Sequence, residues 1–254
     1  MSDSIETHNA RLAQVSSGIS PQERNRRRLS AVLKVILWVI AVIAFVALAF
    51  LVHAHPKPLP NELTISRDIQ AVAFPSWVDA TFRFLTFIND PKPDAIEVPI
   101  VLVVFLLFRW FWQALFLTLS VGVGNGVDAL VGDVVGRPRP VPSQIHVDQK
   151  LIFNSFPSGH SCHMMVFYGF LLYLTFTRPV RQSRYRWLAI PFQVWAIFNI
   201  LVVGFARLWE GEHWLTDVIG GYLDGIIWLA VFIFLYNLTL QKVHERRAQR
   251  LAVQ

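Results

Sequence analysis

The sequence predicts an all-α, polytopic membrane protein: six transmembrane helices in a bundle, with the chemistry-bearing loops gathered at one membrane face. Three observations predict it. The 254 residues are 54% hydrophobic and only 16% charged, against about a quarter charged in soluble domains. The apolar residues fall in runs long enough to cross a bilayer. The basic residues flank those runs on alternate sides. A disordered chain, a collagen-like fibre and a disulfide scaffold are excluded by the same figures. The single cysteine, Cys162, has no intrachain partner.

Residues 1–29 are polar and are expected to form a disordered basic tail. Val35 to Val52 is an unbroken apolar run, about 27 Å long as a helix and close to the hydrocarbon thickness. It is longer than a signal-peptide core and follows a longer leader, so it reads as a retained first span. His53 to Pro75 contains Pro56, Pro58 and Pro60 and is expected to be irregular. Ser76 to Asp90 reads as an amphipathic helix at the membrane interface. Val78, Phe82 and Leu85 share one face, and Asp79, Arg83 and Asp90 the other.

Ile96 to Val135 has room for two spans, with Arg109, Trp110 and Trp112 marking the turn between them. Gly122, Gly124 and Gly126 lie in the second of these, where close helix packing explains them better than a nucleotide loop. A fourth span runs roughly from Cys162 to Thr177, a fifth from Trp187 to Phe205 and a sixth from about Leu215 to Leu240. Residues 241–254 form a second polar tail. Residues 30–240 are then one membrane domain.

Six spans put both termini on one side, and the positive-inside rule makes that side cytoplasmic. Arg24, Arg26, Arg27, Arg28 and Lys34 precede the first span. Arg178, Arg181, Arg184 and Arg186 join the fourth to the fifth, and Lys242, Arg246, Arg247 and Arg250 follow the last. The opposite face carries Glu62, Asp68, Asp79, Asp90, Asp94, Glu97, Asp148, Glu210 and Glu212. The net charge of +6 is thus a set of topology signals, not the single basic patch that nucleic acid needs.

Three unusual clusters fall on the outer face. The first is Gly136-Arg137-Pro138-Arg139-Pro140, the second Phe156-Pro157-Ser158-Gly159-His160-Ser161, and the third Arg207, His213 and Asp217. Arginine is a rigid fork of donors suited to phosphate oxygens. Ser158 and Gly159 stand where a helix begins, and free N–H groups there favour an anion. His213 and Asp217 are four apart, so a carboxylate can fix the imidazole tautomer and free the other nitrogen to attack. His160 is a second imidazole, available as general acid. Each cluster alone has a bland reading: interfacial charge, an ordinary helix start, a structural histidine. Their joint occurrence on one face does not. His160 with His163, and His213 with Asp217, lack the partner set of a metal site, so no metal or other cofactor is expected.

The Arg139-Pro140, Pro157-Ser158-Gly159-His160 and Arg207-x5-His213-x3-Asp217 series resembles the three-part signature of the phosphatidic acid phosphatase type 2 superfamily, which soluble vanadium haloperoxidases share. The resemblance spans Asp128 to Asp224. It implies a helical bundle and a metal-free phosphohydrolase. His213 would attack phosphorus to form a phosphohistidine, Asp217 would orient it, and His160 would protonate the leaving oxygen. Arg139, Ser158, Gly159 and Arg207 would hold the non-bridging oxygens, where preorganised donors supply much of the rate. The family's first motif opens with a lysine seven residues before Arg139; here that position is Gly132. Lys150 and Arg137 are the nearest candidates to replace it. The third motif usually has serine before its arginine; here it is Ala206. Asp128 and Asp224 fall within expected spans, where an ionisable residue is costly. They either modify the site or lie near water.

The resemblance therefore implies an integral-membrane lipid phosphate or diphosphate phosphatase with an extracytoplasmic site. Its partners would be membrane lipids and a lipid phosphate or polyprenyl diphosphate substrate. Phosphatidic acid and phosphatidylglycerophosphate fit the signature equally, and a prokaryotic cell membrane is the expected location. The alternatives are a phosphotransferase on the same fold and a non-catalytic lipid-phosphate binder or scaffold, which Gly132 favours. Six spans disfavour a soluble haloperoxidase, and no paired interrupted segments suggest a transporter.

Overall fold

The computed structural model describes residues 21–252; the expectations for residues 1–20 and 253–254 lie outside the described residues. Among the described residues the chain is helical, with no strand. The main elements are α1 (Pro21–Ala54), α2 (Glu62–Ala71), α3 (Ser76–Ile88), α4 (Pro91–Leu107), α5 (Phe111–Val135) and α6 (Gly159–Thr175). They are followed by the one-turn α7 (Arg178–Arg181), a 3-10 turn (Arg186–Leu188), α8 (Ala189–Trp209) and α9 (Leu215–Ala252). Two compact units are present, Met1–Ile40 and Ala41–Gln254. The described part of the first is the N-terminal stretch of α1, which exposes Leu29, Val32, Val35, Ile36 and Ile40. The second contains every other element and the core.

Among the described residues, four stretches are long and apolar enough to cross a membrane: Arg28–Ala54, Phe111–Val135, Arg186–Trp209 and Leu215–Leu251. Ile43, Phe50, Leu130, Leu201 and Phe234 on these helices are exposed. Apolar side chains turned outward on fully hydrogen-bonded helices suit lipid as a solvent. α4 and α6, read as spans from the sequence, have 17 residues each, about 26 Å.

Several boundaries differ from the expected ones. Residues 21–29 and 241–252 are helical, not irregular. Once a helix is nucleated, each added residue gains a hydrogen bond, and arginine, leucine and glutamine propagate it well. The stretch His53–Pro75 contains α2, because Pro56, Pro58 and Pro60 precede the helix and Pro75 follows it. Arg67 donates to the Gln144 carbonyl at 3.0 and 3.2 Å, and Gln70 to the carbonyls of His146 and Trp209. α3 does have the expected two faces, with Phe82 and Leu85 buried and Arg83 paired to Asp79 at 2.8 Å. The α4–α5 turn falls at Arg109, which has φ 60.

α6 is the central helix and packs against α5, α8 and α9. Every residue from Ser161 to Leu171 except Met165 is buried, as expected for a helix apolar all round. Phe116, Phe167, Phe170 and Tyr236 sit in one core cluster, with Phe170 and Tyr236 edge-on at 5.7 Å. Small residues let the backbones close. A Cβ on Gly225 would lie 2.5 Å from Met165 Cβ, and one on Gly221 would overlap the Ser158 carbonyl oxygen. In α5 Gly124 packs this way against Val166, and a Cβ on Gly132 would meet the Phe156 carbonyl oxygen at 3.3 Å; Gly122 and Gly126 face open space. The expected packing role is corrected for those two.

Gly221→Val will lower the thermal midpoint of the solubilised protein by several degrees, reflecting an overpacking cost of about 1–3 kcal/mol. Gly122→Ala will leave the midpoint unchanged or slightly raise it. Thermal unfolding in detergent of the two variants beside wild type checks both.

Candidate active site

α5 ends at Gly136, whose φ of 64 closes the helix. The Arg137-Pro138-Arg139-Pro140 segment follows without helix. Prolines favour a polyproline-like backbone of three residues per turn, on which side chains two apart point about 120° apart. The two arginines accordingly go to different places. Arg137 is fully buried. Its Nη2 donates to Glu62 Oε2 at 2.6 Å, and its Nη1 donates to Thr216 Oγ1 at 2.8 Å and to Asp217 Oδ1. Glu62 also accepts from the backbone of Leu59 and from both the backbone and hydroxyl of Thr216. Arg137 is thus occupied beneath Asp217 and does not replace the lysine missing at Gly132. Lys150, the other candidate, is exposed and does not line the cavity described below.

Asp217 stands in the first turn of α9. Besides Arg137 it accepts from Ser155 Oγ at 2.5 Å and from the Trp214 backbone at 2.8 Å. His213 is buried in the loop before α9. Its Nδ1 lies 2.8 Å from the Ser155 carbonyl oxygen and 3.7 Å from Asp217 Oδ2. The expected Asp217–imidazole hydrogen bond is therefore corrected: the Ser155 carbonyl holds the Nδ1 proton, and Asp217 holds Ser155. His213 Nε2 is left as an acceptor 3.2 Å from Arg139 Nη1. Burial, then the Arg139 charge, holds the imidazole down to about 3. It is neutral, and so able to act as a nucleophile, across the physiological range.

Arg139 is braced by the carbonyls of Phe153 and Glu212, at 2.9 and 2.8 Å. Burial, then the neighbouring Arg207, lowers it to about 10, still a cation at neutral pH. His213, Arg139, Gly159, His160 and Gly132 line a single cavity of about 640 Å³. Ser158 does not line it: it caps α6, its N–H donates to the Asp217 carbonyl at 3.0 Å and its Oγ accepts from Ser161. The N-terminus of α6 still faces the cavity through Gly159 and His160. His160 Nε2 is 3.1 Å from Asp90 Oδ1, so the imidazole read from the sequence as an available general acid has a carboxylate partner. Burial alone would raise Asp90, but the His160 contact outweighs it and holds the carboxylate below its usual range.

Arg207 lies elsewhere. It is buried, pairs with Glu210 at 3.0 Å and with Glu212, and lines a neighbouring cavity of about 280 Å³. Asp90 borders both cavities. Asp128 lines the larger one, while Asp224 lies behind it with Cys162 Sγ at 3.4 Å. Asp128, Cys162 and Asp224 bring one potential ligand atom each within 4.8 Å of one another. This grouping was not signalled by the histidine spacings considered for a metal. Sequence reasoning also missed Glu62, Asp90 and Ser155. The first two were visible only as acids on the outer face, and Ser155 as a neighbour of the second cluster.

Comparison with known proteins bears on the family and the fold. The profile of the PAP2 superfamily matches residues 110–240. Phosphatidylglycerophosphatase B of Bacillus subtilis is 22% identical over 186 residues, which is 72% of this chain and 86% of that protein. The bacitracin transport permease protein BcrC of Bacillus licheniformis is 28% identical over 136 residues, covering 52% of this chain and 60% of that one. Among solved structures, a transmembrane PAP2-type phosphatidylglycerolphosphate phosphatase from Bacillus subtilis superposes with a TM-score of 0.66 at 21% identity. It covers 81% of this chain and 96% of its own. Aquifex aeolicus LpxE superposes with a TM-score of 0.52 at 19% identity, over 67% and 93%.

Two outcomes follow from the buried charges. Arg137→Ala will leave Glu62 and Asp217 without their cation and lower stability by about 3–5 kcal/mol, seen as a large fall in thermal midpoint, whereas Lys150→Ala will leave it in place. His213 is held at about 3 in the fold against an ordinary 6.5. Between those values the unfolded chain binds the extra proton, so stability is lost as pH falls below 6.5. The midpoint of His213→Gln will fall less between pH 7 and pH 5 than that of wild type.

Proposed function

The chain belongs to the PAP2 superfamily, and on that premise we propose that it is an integral-membrane phosphatase of lipid phosphates or diphosphates that works through a phosphohistidine on His213 without a metal ion. One observation carries the mechanism: His213 Nδ1 is tied to the Ser155 carbonyl, while its Nε2 faces Arg139 in the cavity that His160 shares. In the proposed first step the Nε2 lone pair forms a bond to phosphorus and the ester P–O bond breaks. His160 gives its proton to the departing alkoxide, with Asp90 stabilising the imidazolium beforehand. In the second step His160 takes a proton from water, water oxygen bonds to phosphorus and the P–N bond breaks. Arg139 and the N-terminal amides of α6 hold the non-bridging oxygens. Arg207 acts through the field it adds from the adjoining cavity, moderated by Glu210 and Glu212.

Phosphatidylglycerophosphate, phosphatidic acid and polyprenyl diphosphate are the candidate substrates, and the first is supported by the named activity of the Bacillus subtilis relatives. The expected topology has residues 30–240 as the phosphatase domain, with α1, α4, α5, α6, α8 and α9 as six spans. Both termini would be cytoplasmic and the cavity extracytoplasmic, in a prokaryotic cell membrane. The basic groups at the start of α1, around α7 and at the end of α9 support it. A second reading, a lipid-phosphate binder without turnover, is favoured by Gly132: no described cation takes the place of the family's lysine.

Phosphate release from detergent-solubilised protein, with EDTA present, tests the proposal. Wild type will release phosphate from at least one lipid phosphate, and His213→Ala will release none. His160→Ala will lower kcat about 100-fold or more, and Asp90→Asn less, with a shifted acid limb in its pH profile. Binding without release in wild type sinks the enzyme reading and leaves the binder. Release that stops with EDTA sinks the metal-free mechanism.

A further inference from the structure

Beside the first turns of α6 the cavity has an imbalance of its own. Asn89, Asp94, Asn125 and Asp128 all line it. Each has one side-chain oxygen shut from solvent with no hydrogen-bond donor. Asn89 and Asp128 are themselves 2% and 8% exposed. The amide nitrogens are already taken: Asn89 donates to the Leu85 carbonyl at 2.7 Å, and Asn125 Nδ2 lies 2.9 Å from His163 Nδ1. His163 Nε2 is 3.5 Å from the other oxygen of Asp94 and makes no hydrogen bond. Buried oxygens of this kind normally find a donor, and leaving one without costs about 1–3 kcal/mol. Asn125 and Asp128 are three apart on α5, so they share a face, and Gly132 continues that face without a cation. The cavity therefore has a donor pole, Arg139 with the free amides of α6, and an acceptor pole alongside it, where Asp128 Oδ2 lies 3.4 Å from the place a Cβ on Gly159 would take.

We propose that the acceptor pole is a head-group subsite, and that the leaving alcohol of the substrate carries hydrogen-bond donors, hydroxyl or ammonium, which Asp94, Asn125 and Asp128 receive. This rests on the phosphatase reading and sharpens it. Phosphate held at Arg139 points its ester oxygen towards His160, and the alcohol beyond it reaches the acceptor pole. A polyprenyl diphosphate would bring a second phosphate there, against Asp94 and Asp128. Phosphatidic acid would bring a glycerol whose hydroxyls are all esterified. Phosphatidylglycerophosphate leaves as an alcohol with a free hydroxyl, and an amino analogue of it would bring an ammonium.

The test uses three substrates with identical acyl chains: phosphatidylglycerophosphate, its amino analogue and phosphatidic acid. Phosphate release is read as kcat/KM, and each donor-bearing substrate is compared with phosphatidic acid as a ratio. Wild type will favour at least one donor-bearing substrate. Asp128→Asn and Asn125→Leu will lower that ratio about tenfold, the size of one hydrogen bond to a charged group. A preference for the ammonium that depends on the Asp128 charge identifies an amine; a preference for the hydroxyl identifies a polyol. A wild-type ratio near one overturns the subsite, as does an equal fall on all three substrates. Thermal stabilisation by uncleaved phosphonate analogues of the same three lipids repeats the comparison without turnover. If nothing is hydrolysed the phosphatase reading fails, yet a donor preference in binding that Asp128→Asn removes still supports the subsite, and its absence still overturns it.

Discussion

The placement of one buried guanidinium underlies the rest of this structure. Arg137 is closed off from solvent between Glu62 and Asp217. A charge in that position is tolerable only if its partners are fixed and their remaining lone pairs are used. They are: Glu62 takes three further donors from Leu59 and Thr216, and Asp217 takes two from Ser155 and Trp214. The network therefore ties α2, the segment after α5, the segment before α6 and the start of α9 into one unit. His213 is not a member of it, yet its position follows from it. Asp217 fixes Ser155, and the Ser155 carbonyl fixes the imidazole. The geometry of the imidazole is set at one remove, by an ion pair that does not line the cavity.

Helix packing supplies the second half of the site. The proposed phosphate cradle requires the N-terminus of α6 to lie beside the start of α9. Gly221 and Gly225 permit that, because a side chain at either would meet α6 or its cap. Close backbone approach is the usual means of packing helices in lipid, where apolar side chains gain little by leaving a solvent as apolar as themselves. The same contact joins Ser158 N–H to the Asp217 carbonyl. Packing and hydrogen bonding thus reinforce one another along the α6–α9 seam.

Much of this was legible in the sequence, for physical reasons that also mark where legibility ended. Apolar runs report burial or lipid contact over a dozen or more residues, so α1, α5, α8 and α9 stood out. The three clusters stood out because arginine, histidine and a helix start have few uses together. Helix ends were misplaced at 21–29 and 241–252, since polar composition does not distinguish a solvated helix from an irregular tail. Glu62 and Asp90 escaped because their partners Arg137 and His160 are 75 and 70 residues away. Nothing local distinguishes those acids from Asp68 or Asp79. Arg137 and Arg139 illustrate the same limit at short range. Both suit a phosphate, and only the turn of the proline-rich backbone sends one beneath Asp217 and the other to the cavity.

The distribution of charge explains how such a site can work with fewer cations than its family's motif provides. Arg207 is balanced by Glu210 and Glu212, and position 132 has no side chain at all. Arg139 is then the arginine that lines the cavity, helped by the amides at the start of α6. A phosphate group would be held at one end only. The buried side-chain oxygens of Asp94, Asn125 and Asp128 offer it no donor beyond that end. A cavity with more cations binds phosphate more tightly but in more orientations. One with a single cationic pole and an adjoining acceptor pole gives up affinity for a defined direction. In the proposed reaction that direction matters, because His213 must approach phosphorus opposite the oxygen that His160 protonates.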